Sequence, residues 1–123
     1  MNGGCMIEIA ILTILLALAF TFTNGFQDAS SIAATFISSR SATPKTGIVL
    51  VAGMSLLGAV FGGSAVAFTM VELVSLPTAA QELAVLFAAL VTATSWNIIT
   101  WKYGMPSSST HSLIGGLVGA GVA

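Results

Sequence analysis

The chain has 123 residues, 56% of them hydrophobic and 6% charged, with a formal net charge of −1. Ordinary soluble domains carry about 25% charged residues, and a small soluble fold buries only a limited share of its area. Three basic and four acidic side chains cannot cover what remains, which excludes a soluble domain. The near-neutral balance excludes the basic footprint of a nucleic-acid binder.

A bilayer removes the requirement for a polar surface, and the mean hydropathy of +1.03 fits one. The single cysteine, Cys5, cannot form an intramolecular disulfide. Met1 to Ile9 carries Glu8 and no basic residue, whereas a signal peptide wants a positive start and a small-residue cleavage site. The segment therefore reads as retained.

The first apolar run, from Ile9 to Phe22, meets a polar stretch, Thr23-Asn24-Gly25-Phe26-Gln27-Asp28, before small and apolar residues resume from Ala29 to Ser39. A helix needs about 20 residues to cross the hydrocarbon, so this stretch is too long for one simple span. The polar residues predict a broken helix, with Gly25 supplying freedom at the break. After Arg40 and a short linker, Gly47 to Met70 carries no charge and is the clearest span. Gly53, Gly58, Gly62 and Gly63 suggest a closely packed face on it. A second linker containing Pro77 lies between Glu72 and Glu82. The third run, Leu83 to Trp101, ends in Trp101-Lys102-Tyr103, the composition of an interfacial anchor. The fourth segment opens with Pro106-Ser107-Ser108-Ser109-Thr110-His111 and runs apolar from Leu113 to Ala123, too short to span. Continuous rather than alternating runs favour helices over a β-barrel. Arg40, Lys45 and Lys102 mark the ends of runs that the positive-inside rule places in the cytoplasm, leaving Glu72 and Glu82 outside.

Two places carry chemistry. If the chain from Asp28 to Arg40 is helical, the two lie roughly 18 Å apart at about 1.5 Å per residue. With Arg40 at an interface, Asp28 falls near the midplane, where a carboxylate is costly and marks an ion or substrate ligand. The alternative is a water-exposed loop at a helix end. Asn24, Gln27, Ser30, Ser31 and Thr35 surround it with oxygens that suit a hard cation such as Na⁺, although Ser and Thr also serve as packing residues in membrane helices. The second place is the fourth segment's start. Ser and Thr cap free amides there, and a helix N-terminus is an anion site. An ordinary capped helix would look the same. His111, the only histidine, falls short of a metal site and suits gating, proton relay or a simple hydrogen bond. No catalytic constellation appears, so the chain does not read as an enzyme.

Asn24-Gly25-Phe26-Gln27-Asp28-Ala29, leading to Ala34-Thr35 and Arg40, resembles the first signature of the inorganic phosphate transporters of the PiT type. Trp96-Asn97 through Trp101, then Gly104-Met105-Pro106-Ser107-Ser108-Ser109-Thr110-His111-Ser112-Leu113-Ile114-Gly115-Gly116, resembles the second. With the matching order of helices, the resemblance covers nearly the whole chain. It implies an all-α, multi-pass protein of the cell membrane. The first helix would be broken, and a re-entrant half-helix would close the segment. It also implies ion-coupled uptake of inorganic phosphate, driven by Na⁺ or H⁺, with two inverted repeats supplying one midplane site. Asp28 would match the essential aspartate. Gln27 falls where relatives carry Asn or His. Ser108, Ser109 and Thr110 match the hydroxyls that bind substrate, and His111 the motif histidine. Asn24, Asp28 and Ser31 would serve Na⁺ as coupling ion, with Ser31 standing where many relatives have Asn. No other cofactor and no nucleic acid is implied.

Residues 1–123 hold one copy of each signature and form a single transmembrane domain on this reading, the N-terminal repeat of a longer transporter. The missing C-terminal repeat, or a second antiparallel copy of the chain, would complete the site. Two other functions compete: a carrier of another oxyanion such as sulfate, and a non-transporting membrane subunit whose glycine faces pack against a partner.

Overall fold

A computed structural model describes residues 2–72 and 77–123 of the chain. Its described residues form four helices: α1 (Gly3–Ser39), α2 (Pro44–Glu72), α3 (Ala79–Lys102) and α4 (Ser109–Val122). The linker expected between Glu72 and Glu82 falls partly on residues 73–76, outside the described residues. Among the described residues, three helices are long and apolar enough to cross a membrane: Gly3–Ser39, Pro44–Ala65 and Ala79–Lys102. The fourth, with 14 residues, extends about 21 Å against a hydrocarbon core of about 30 Å.

The break expected in the first helix is corrected by the structure, in which α1 runs unbroken for 37 residues. The reason is local. Serine and threonine hydroxyls along the run donate to the helix's own carbonyls. Thr21 Oγ1 donates to the Ala17 carbonyl at 2.8 Å, Thr23 Oγ1 to Phe20 at 2.9 Å, Ser30 Oγ to Gln27 at 2.8 Å and Thr35 Oγ1 to Ile32 at 2.7 Å. Such back-bonding satisfies a hydroxyl in an apolar helix without opening the backbone ladder. The helix ends at Arg40, whose φ of 53° is left-handed, a conformation that costs an L-residue about 1–2 kcal/mol. Three residues later, Thr43 Oγ1 accepts the Thr46 amide at 3.4 Å. Pro44 takes the first position of α2, where its fixed φ and missing N–H suit a helix start.

The chain divides into two compact units, one comprising Met1–Asn24 and Val74–Ala123, the other Gly25–Leu73. In the second, Phe36 of α1 lies against Gly47 of α2, and a Cβ added at Gly47 would meet the Phe36 Cβ at 3.4 Å. Farther along α2 the close packing expected of Gly53, Gly58, Gly62 and Gly63 is not found. Among the described residues, nothing lies within 4 Å of a Cβ built at any of them. Ile48, Val49, Val60 and Phe61 of the same helix are exposed. An apolar face of this extent is what lipid solvates and water does not.

The first unit holds the packed core, an α3–α4 hairpin. Ala89, Leu90 and Ala93 of α3 and Leu117 of α4 are buried. The helices close at Gly116, where an added Cβ would stand 2.9 Å from the Ala89 carbonyl oxygen and 3.1 Å from its Cα. The turn between them is a Schellman motif. Gly104 adopts φ 66°, its amide donates to the Trp101 carbonyl at 3.1 Å, and the Met105 amide donates to Thr100 at 2.9 Å. At the other end of α3, Thr78 Oγ1 accepts the Gln81 amide.

Candidate functional site

The fourth helix starts as its sequence demands. Ser108 is extended, with φ −87° and ψ 114°, and caps α4. Its hydroxyl oxygen accepts the His111 amide at 3.5 Å and lies 2.8 Å from His111 Nδ1. Its carbonyl accepts the Ser112 hydroxyl at 3.0 Å and the Ser112 amide at 3.1 Å. Pro106 therefore sits before the cap, outside the helix. The amides of Ser109 and Thr110 belong to the first turn, which has no intrahelical acceptor. They face the positive end of the helix dipole, where an anion is favoured.

This start opens on a groove of about 710 Å³ between α3 and α4. Ser107, Ser108, His111 and Ser112 line one wall, and Thr92, Ser95, Trp96 and Ile99 the other. On the α3 wall, Ser95 Oγ donates to the Val91 carbonyl at 2.7 Å and Thr92 Oγ1 to Ala88 at 2.9 Å. Those hydroxyls have spent their protons on the helix. Donors for an anion thus come from the α4 start, and the α3 wall supplies shape and one large aromatic. Ser109 is buried, while Ser108, Thr110 and His111 remain exposed. The structure brings these four together at one helix end, as their contiguity requires.

The other candidates lie on α1. Gln27 is buried, and Asp28 and Ser31 are exposed. Helical geometry puts residues three and four apart on one face, so Gln27 and Ser31 stack one turn apart and Asn24 lies one turn before Asp28. Ser31 Oγ donates to the Gln27 carbonyl at 3.3 Å, which leaves its lone pairs to accept or ligate. Asn24 Oδ1 is buried with no hydrogen-bond partner among the described residues. Asp28 sits inside α1, not in the loop at a helix end that was the alternative. Among the described residues, no three His, Cys, Asp or Glu side chains group as a metal site.

Sequence reasoning missed the α3 wall. Thr92, Ser95, Trp96 and Ile99 repeat at helical spacing, a signal that was present, but only the α3–α4 register shows that this stripe faces Ser108. It named Asn97 only as part of the second motif and passed over Thr94, and it gave no sign that both are buried polar residues inside an apolar run.

Comparison with known proteins adds independent support. Residues 24–123 match the phosphate transporter family. A probable low-affinity inorganic phosphate transporter of Bacillus subtilis is 41% identical over 96% of this chain and 35% of its own length. Another, of Streptomyces halstedii, is 42% identical over 95% of this chain and 55% of its own length. The low-affinity inorganic phosphate transporter of Escherichia coli K12 is 38% identical over 90% of this chain and 24% of its own length. The chain thus spans between about a quarter and about half the length of these relatives. No solved structure matches it. A match over residues 24–123, on a multi-pass chain of apolar helices carrying both polar motifs, establishes that this chain belongs to the phosphate transporter family.

Proposed function

We propose that the chain is a segment of a secondary transporter that carries inorganic phosphate across the membrane with a coupling ion, Na⁺ or H⁺. The observation that carries this reading is the start of α4. Free amides, a capping serine and a histidine meet there at the mouth of a hydroxyl-lined groove. Neutral donors at a helix N-terminus hold an oxyanion without burying a lysine or arginine. A half-helix pointing its N-terminus at a midplane anion is a recurring transporter device, and α4 serves as such a re-entrant half-helix.

On the same reading Ser108, Ser109, Thr110 and His111 bind phosphate together with Gln27 and Asp28. Asn24, Asp28 and Ser31 supply oxygens to Na⁺. The chain acts as one repeat of an inverted pair, completed by the rest of a longer carrier or by a second copy. The relatives named above, which are phosphate transporters by name, support phosphate over sulfate, since both are tetrahedral oxyanions that amides and hydroxyls bind alike.

The complete transporter, reconstituted in liposomes, should accumulate labelled phosphate when a Na⁺ or H⁺ gradient is imposed. Unlabelled phosphate should abolish that uptake, whereas equimolar sulfate should leave it nearly intact. Equal competition by sulfate would redirect the reading to a general oxyanion carrier, and no uptake under either gradient would favour a packing subunit.

A further inference from the structure

In an apolar helix a serine or threonine hydroxyl normally returns its proton to a carbonyl one turn back. On α3 the hydroxyls of Thr92, Ser95 and Thr100 do so. Thr94 does not: its Oγ1 is buried without a hydrogen-bond partner among the described residues. One turn on, Asn97 is 1% exposed, and neither Oδ1 nor Nδ2 has a partner among them. Burying an amide or hydroxyl without compensation costs roughly 1–3 kcal/mol on mutational scales, and a bilayer offers no water to offset it. Two such groups on one stripe of one helix are a place built for something else to bind.

The position is informative. Gly116 packs on Ala89, while Trp96 and Ile99 share a groove with Ser108 and His111. That register sets Asn97 level with the start of α4. Thr94 and Asn97 are absent from the groove's lining, so their face of α3 is a different one. Residues three apart on a helix hold their Cβ atoms about 5–6 Å apart, within reach of one shared ion. A threonine hydroxyl and an amide carbonyl are neutral hard-oxygen donors, suited to a small cation and adding no charge to the membrane interior. The carboxamide can turn Oδ1 to the ion while Nδ2 donates elsewhere.

We propose that Thr94 Oγ1 and Asn97 Oδ1 are ligands for a co-transported monovalent cation, Na⁺, at a position on α3 distinct from the Asp28 group. The proposal rests on the transport function above and extends it with a second ion locus. The test uses the complete transporter in proteoliposomes. Phosphate uptake is titrated with Na⁺ at saturating phosphate, and with phosphate at saturating Na⁺.

Thr94→Val and Asn97→Leu should each raise the Na⁺ concentration for half-maximal uptake by about tenfold or more, the loss of one ligand. Thr94→Ser should stay near wild type. The phosphate dependence at saturating Na⁺ should hardly move. An unchanged Na⁺ titration in Thr94→Val, the near-isosteric variant that keeps its value if Asn97→Leu fails to assemble, would overturn the assignment. So would a shift in the phosphate titration alone, or wild-type uptake that ignores Na⁺. Absence of any phosphate uptake by the wild type would instead sink the transport function itself.

Discussion

Replacing Asp28 with asparagine should abolish coupled phosphate uptake while leaving the protein inserted and monodisperse. The substitution keeps shape and one oxygen and removes only the charge. The exposed Asp28 carboxylate is the only acidic side chain in α1 beyond Glu8, well inside the longest apolar helix of the chain. Losing a charge-assisted contact of about 1.5–3 kcal/mol predicts a fall of roughly tenfold to a hundredfold for each ion or substrate contact removed. With Asp28 proposed to contact both the coupling cation and phosphate, the loss should carry activity beyond detection. Asp28→Glu should retain a measurable fraction. Uptake at the wild-type rate in Asp28→Asn would remove Asp28 from the mechanism.

The second large effect is structural. Gly116→Ala should destabilise the α3–α4 hairpin, and Gly115→Ala, one residue away, should not. Both changes gain helix propensity worth about 1 kcal/mol. At Gly115 nothing lies within 4 Å of the new methyl group, so the gain stands and the variant melts at or above wild type. At Gly116 the methyl meets backbone, the Ala89 carbonyl oxygen at 2.9 Å and its carbonyl carbon at 3.4 Å. Backbone cannot rotate away as a side chain can. Overpacking of this kind costs about 1–3 kcal/mol and outweighs the propensity gain. Thermal melting in detergent separates the two variants. Because the clash is with backbone, Ala89→Gly should not rescue Gly116→Ala.

These two cases show where sequence reasoning reaches. Asp28 stood out because charge is rare in this chain, and its isolation in an apolar run is visible in one dimension. The start of α4 was legible for the same reason: Ser108-Ser109-Thr110-His111 carries its capping chemistry in consecutive residues. The existence of α2 and α3 followed from uninterrupted apolar runs. The continuity of α1 did not, because Thr23, Asn24 and Gln27 look like a break. Whether a hydroxyl opens a helix or bonds back to it is decided by rotamers that spacing does not record. Gly116 was likewise hidden among 13 glycines. The α2 glycines looked equally suited to packing, and only the register of α3 against α4 distinguishes them. The groove wall of Ser95, Trp96 and Ile99 depends on that same register.

The central claim is that an anion occupies the groove at the start of α4, and a single cysteine tests it most directly. In the complete transporter with its cysteines removed, including Cys5, which is exposed, Ser95→Cys places a thiol on the α3 wall beside Ser108 and His111. Phosphate should slow its modification by a water-soluble thiol reagent, and an equal concentration of chloride should not. A modification rate indifferent to phosphate, in a variant that still takes phosphate up, would contradict the account and place the anion elsewhere.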